Sequence, residues 1–149
     1  NDKKIQIFVE ETKKILENRL LSVVLYGSYV DNTYSKSSDI NIIVVIDSLT
    51  AFDLKNLYPA VKKWQKTGNV LPVFMEKTEW FASADVYPME YSDIKDRHRI
   101  IYGEDIVSCL KIEKYEFVLR LADLWLLTTN RRSVFGYFYS LRKKEHFCS

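Results

Sequence analysis

Cysteine and histidine are scarce in this sequence, with two of each among 149 residues. Cys109 and Cys148 lie far apart, with no second Cys or His at metal-ligand spacing. The sequence therefore supports neither a zinc site nor a redox pair, and a reduced cytoplasmic setting is expected. His98 in "KDRHRII" and His146 in "KKEHFCS" also lack a Cys or His neighbour, which favours surface or helix-end roles over metal binding or catalysis. An excess of one charge is missing too. Lys and Arg number 22 against 20 Asp and Glu, a formal net charge of +2. That falls well short of the basic surplus that announces nonspecific nucleic-acid binding. Apolar runs are about one strand long, far below the roughly 20 residues of a membrane-spanning helix, so no membrane association is expected. Nothing at the N-terminus has the pattern of a signal peptide, and no internal repeat or low-complexity tract occurs.

What is present is an apolar fraction of 47% with no long polar tract to interrupt it. This length suits one domain, or one domain with a short appended piece, and can bury a sizeable core. Ile5, Phe8, Val9, Ile15 and Leu16 share one helical face and predict an amphipathic helix over 3–18. "LSVVLY" from Leu21 reads as a strand delivering the chain into a tight turn at Gly27-Ser28. "INIIVVI" from Ile40 is apolar on both parities, as a central strand covered on both faces must be, and is expected to pair with the first. Phe52, Leu54, Leu57, Val61 and Trp64 predict a second helix over 50–66, opened by a Thr50/Asp53 capping box. "VLPVFM", 70–75, is a third strand whose Pro72 argues for an edge or a strand start, because proline donates no ladder hydrogen bond. Residues 82–105 mix turn signals, aromatics and charges and resist division. From Ile112, the positions Phe117, Leu121, Leu124 and Trp125 form a further helical face extending to about Lys144.

Gly27-Ser28 at the end of one strand, followed by Ser38-Asp39-Ile40-Asn41 opening the next, resembles the nucleotidyltransferase superfamily. Its signature is Gly-Ser and then, about ten residues on, an Asp-x-Asp pair. "DVYPMEYSDIKDRHRIIYGEDI", 85–106, is similar to a segment that follows the core in bacterial nucleotidyltransferase-domain proteins and, more loosely, in aminoglycoside adenylyltransferases. The resemblance covers roughly 20–145. The chemistry behind it is compact. Glycine lets backbone approach a phosphate closely, while the Ser28 hydroxyl, the following amides and Ser38 can donate to its oxygens. Strand residues i and i+2 project to one side, so positions 39 and 41 address one site. Two carboxylates there would hold Mg²⁺ ions bridging a triphosphate and an attacking hydroxyl.

The pattern departs from the family at two places. Asn41 stands where the second aspartate belongs; its amide oxygen can coordinate but brings no charge, and Mg²⁺ dehydrates reluctantly. Capping at the strand start is an equal reading for it. The family's third carboxylate, on the next core strand, aligns with Pro72. Glu76 shares that parity but lies about 13 Å further along. Glu90 and Asp93 have no geometric warrant, and their roles stay open. The basic clusters Arg97/Arg99, Arg131-Arg132 and Arg142-Lys143-Lys144 read as solvated helix faces. Tyr34, Tyr137 and Tyr139 can stack on a base but suit core or interface packing as well. Aromatics from Phe135 to Tyr139 with Trp125 call for burial against further sequence or a second chain.

The expectation is an α/β (α+β) nucleotidyltransferase fold, a small mixed sheet flanked by helices. It would occupy 1–108 and be followed by a helical segment, 109–149. A start at Asn1 without Met and an end in helical sequence are expected of a piece of a longer protein. The resemblance implies Mg-dependent transfer of NMP from an NTP to an unknown acceptor. Asp39 would hold the metal, Asn41 would stand beside it as a catalytic position, and Gly27, Ser28 and Ser38 would hold phosphates. Asn41 and Pro72 predict weak or lost activity. The alternative is a noncatalytic binding or regulatory module, antitoxin-like, partnered with a helical protein, by analogy with minimal nucleotidyltransferases. A homo-oligomer is left open as well.

Overall fold

In the computed structural model, residues 2–30 and 39–112 are described. Helix α1 (Asp2–Leu16) buries Ile5, Phe8, Val9, Thr12 and Leu16, the stripe that its helical spacing predicts. A short 3-10 turn, Glu17–Arg19, then delivers the chain into β1 (Leu20–Tyr26). Strand β2 (Asn41–Ile46) lies antiparallel to it, with Val23 opposite Val44 and Tyr26 opposite Asn41. Ile42 through Ile46 are all buried, which is why that run is apolar on both parities.

Helix α2 (Ala51–Gln65) begins with the expected capping box: Thr50 Oγ1 accepts from the Asp53 N–H, and the Asp53 carboxylate accepts from the Thr50 N–H at 2.9 Å. Strand β3 (Val73–Glu76) starts directly after Pro72 and runs parallel to β2, from Ile43↔Val73 to Ile46↔Glu76. The stretch that composition could not divide becomes helix α3 (Lys77–Val86), helix α4 (Pro88–Asp96) and strand β4 (His98–Gly103). β4 pairs antiparallel with the free side of β1, which makes a mixed sheet of order β3-β2-β1-β4. Gly103 sits at φ +81°, and a Cβ there would come within 1.9 Å of the Leu21 carbonyl oxygen, so only glycine fits.

The sheet separates two apolar cores. On one face α1 and α2 pack Phe8, Leu16, Leu57 and Trp64 against Val23, Leu25, Ile42 and Val44. On the other, α3, α4 and the chain after β4 pack Trp80, Tyr91, Ile94 and Val107 against Val24, Ile43 and Val45. Trp80 and Tyr91 rings lie 4.6 Å apart, and the Trp80 indole N–H donates to the Ile106 carbonyl. Cys109, beside this second core, is engaged in a disulfide, which corrects the expectation of a reduced cysteine. Among the described residues no helix is long and apolar enough to cross a membrane. Ser38, Tyr34 and everything expected of the helical segment beyond residue 112 lie outside the described residues.

Candidate functional site

The end of the sheet where β1 stops and β2 starts carries the residues singled out by sequence. After Tyr26 the chain turns at Gly27, whose φ of +84° lies in the region that favours glycine. The Gly27 N–H donates to the Arg97 carbonyl at 3.0 Å, and its carbonyl accepts from the Val30 N–H at 3.0 Å, which closes a turn over 27–30. Ser28 is half-exposed in that turn and already has a partner. Asp39 is exposed, buried Ile40 anchors the chain behind it, and Asn41 opens β2 half-exposed. A Cβ on Gly27 would meet Asn41 Nδ2 at 3.1 Å. The structure thus brings Gly27 and Asn41 against each other, with Asp39 two residues away.

Strand parity places Asn41 on the face of Ile43 and Val45, the side of the second core. Tyr26 is registered with Asn41 on one side and with His98 on the other. Asn41, Tyr26 and His98 therefore form a row across three strands. Directly paired residues of antiparallel strands have Cβ atoms about 5 Å apart, so these side chains are neighbours. Burial pushes the Tyr26 hydroxyl up, and chiefly burial pushes that of Tyr91 up to about 12. His98 Nδ1 lies 3.0 Å from the Lys95 carbonyl, and Nε2 faces Asp105 Oδ1 at 3.9 Å. The Ser108 hydroxyl and N–H hold the Asp105 carboxyl below the usual range. His98, expected on the surface or at a helix end, instead opens strand β4 half-buried, with Arg97 between it and α4. Its place beside Tyr26 depends on a pairing distant in sequence, for which nothing local signals.

Among the described residues, no acid stands beside Asn41 on the adjacent strand, and Asp105 meets the row at its far side, at His98. Continuing the β2–β3 register backward sets Pro72 against Ile42 and Leu71 against Asn41. Pro72 is buried on the side of the first core, while Leu71 has the parity that faces the row and is 57% exposed. The alignment of Pro72 with a catalytic carboxylate is thus shifted by one residue, and neither position carries an acid. Glu76 pairs with Ile46 at the opposite end of β2, about 16 Å from Asn41 at the usual strand rise. There it accepts a hydrogen bond from the Leu49 N–H at 2.8 Å. Asp93 is held by Arg97 on the surface of α4, and Glu90 is exposed in the first turn of that helix. Among the described residues no three His, Cys, Asp or Glu side chains gather as a metal set.

The nucleotidyltransferase domain family matches residues 5–101, which takes in β1 to β3, most of β4 and this site. The chain belongs to the nucleotidyltransferase family. The likeness to solved structures agrees on the fold. The nucleotidyltransferase domain described here resembles the spectinomycin adenyltransferase AAD(9) from Enterococcus faecialis, solved with ATP and spectinomycin, at 16% identity and a TM-score of 0.58. The match covers 83% of this chain and 64% of that one, so this chain spans less than two thirds of that enzyme. A toxin–antitoxin structure with AMP-PNP is similar at 14% identity and a TM-score of 0.43, over 88% of this chain and 95% of that one. Another, a tri-AMPylated Shewanella oneidensis HEPN toxin in complex with MNT antitoxin, is similar at 14% identity and a TM-score of 0.39, with the same coverage. Curated proteins yield no match.

Members of this family typically use divalent metals with an NTP, and the residues present do not fit a two-metal centre. Such a centre gathers two cations about 4 Å apart on shared carboxylates. Here one carboxylate, Asp39, stands beside a neutral amide, and the adjacent strand offers an exposed leucine and a buried proline.

Proposed function

We propose that this nucleotidyltransferase-family chain binds a nucleoside triphosphate at the Gly27–Ser28 turn, and that transfer of NMP to an acceptor is weak or absent. Gly27 allows phosphate oxygens close to backbone, and Ser28 and Ser38 offer hydroxyl donors. Among the described residues, Asp39 is the carboxylate next to Asn41 that would address the nucleotide's own cation. The observation that carries this reading is the contrast between neighbouring strands. β1 and β2 set Gly27 against Asn41, whereas β3 presents Leu71 and Pro72 where a further acid would be needed. Binding determinants survive; the means of activating an acceptor hydroxyl do not. Calorimetric titration with Mg-ATP and the other Mg-NTPs, alongside a label-transfer assay on the native chain and Asn41→Asp, tests it. Binding without transfer is the expected result, and robust transfer by the native chain would overturn it.

A second reading is a noncatalytic, antitoxin-like regulatory module that keeps the fold as a scaffold for a helical protein. It is favoured by apolar side chains left in solvent on the described surface, including Leu71 at 57%, Tyr87 at 55% and Met89 at 59% exposure. On that reading Asn41→Asp creates no transfer, and NTP titrations give no heat.

A further inference from the structure

The site differs from a metal centre in the sign of what it offers. Asn41, Tyr26 and His98 stand level on one face of the sheet; Asn41 and Tyr26 each carry a group able to donate a hydrogen bond, while His98 is turned to the Lys95 carbonyl and Asp105. None is a carboxylate. The Asn41 amide lies over the Cα of Gly27, 3.1 Å from where a Cβ would be. That is the backbone a phosphate must approach. An ionised carboxylate in this place can only accept, and it would repel an anion on the turn unless a cation stood between them. An amide has two N–H donors and needs no intermediary. Burial raises the Tyr26 hydroxyl, so that neighbour keeps its proton through neutral pH. The acids nearby, Asp39 and the Asp105 that faces His98, are exposed, where solvent and salt weaken their fields.

We infer that Asn41 donates a hydrogen bond directly to a phosphate oxygen of a nucleotide seated on the Gly27–Ser28 turn, so that this chain holds nucleoside polyphosphates without requiring a divalent cation. The inference rests on the nucleotide site proposed above and gives Asn41 a role opposite to that of the aspartate it replaces. It makes the family's metal dispensable for binding in this chain.

The test is a pair of ATP titrations by calorimetry at matched ionic strength, one with Mg²⁺ and one with EDTA, on the native chain, Asn41→Asp and Asn41→Ala. Thermal melts without ligand check that each variant folds. The native chain is expected to bind ATP within about threefold in the two buffers. Asn41→Asp should need the cation, binding at least tenfold more weakly in EDTA. Asn41→Ala should lose about tenfold in EDTA relative to native, the size of one hydrogen bond to a charged group. If removing Mg²⁺ weakens the native chain tenfold or more, the inference is overturned while the nucleotide site stands. If the native chain gives no heat in either buffer, both fall. Should Asn41→Asp fail to fold, the native pair and Asn41→Ala still decide.

Discussion

The two ends of β2 are built from opposite materials. At the end near Ile46 the charges are consumed by structure. Arg19 clasps Asp53 through two bonds of 2.6 and 2.7 Å, Asp53 also caps α2, and Glu76 takes the Leu49 N–H. The Arg19 guanidinium and the Thr50 donors hold the Asp53 carboxyl far below the usual range. At the other end, near Asn41, the aligned side chains are an amide, a phenol and an imidazole, and the carboxylates beside them, Asp39 and Asp105, are exposed. The acids Asp53 and Glu76 at the Ile46 end thus hold a helix cap and a loop, while those at the Asn41 end stand in solvent.

Four measurements would break or sharpen that contrast. The largest expected effect is at the structural end: Gly103→Ala forces a Cβ into the Leu21 carbonyl at a left-handed backbone position. About 1–2 kcal/mol for the left-handed strain and a similar amount for overpacking give about 2–4 kcal/mol of lost stability in denaturant unfolding. At the ligand end, Gly27→Ala meets only the tip of Asn41 and should cost about 1–2 kcal/mol. It should remove measurable ATP binding all the same, because the new methyl group fills the approach to the turn. If Gly27→Ala binds as native does, the turn is not the site. Thr50→Ala loses the helix cap, about 1 kcal/mol, and should leave ATP affinity unchanged. A shift in affinity there would mean that the two ends are coupled.

The smallest signal is a difference in slope with pH. Because the folded Asp53 carboxyl lies below its unfolded value of about 3.9, its contribution is fully present above that pH and is lost as pH falls beneath it. Asn at position 53 carries no such proton linkage. Acid unfolding of Asp53→Asn, already less stable at neutral pH, should therefore show a shallower loss below about pH 4 than the native chain. Equal slopes would mean that the clasp contributes nothing linked to protons.

Much of the first half of the domain was legible because its signals are local. The 3.6-residue stripe of α1, the two-sided apolar run of β2, the Thr50/Asp53 box and the proline ahead of β3 each state their element within a few residues. α3, α4 and β4 were not legible. Trp80 and Tyr91 are buried next to exposed Tyr87 and Met89, so aromatic content did not report the inward face. "HRIIYG" lies in the stretch that resists division until its partner, β1, is known. The site divides the same way. Gly27 and Asn41 could be read from turn chemistry and strand parity, whereas the neighbourhood of Tyr26 and His98, and the inward parity of Pro72, exist only through pairing between distant strands.

The hydrogen bond from the Gly27 amide to the Arg97 carbonyl has a consequence for the order of folding. The hairpin of β1 and β2 joins neighbours in the chain and can close early, but this bond joins its turn to the residue just ahead of β4. Its loop must be closed before the turn is fixed, and such long closures come late. The turn at Gly27 is therefore a property of the finished domain: it is set only when β4 docks, after the sheet that surrounds it has begun to form.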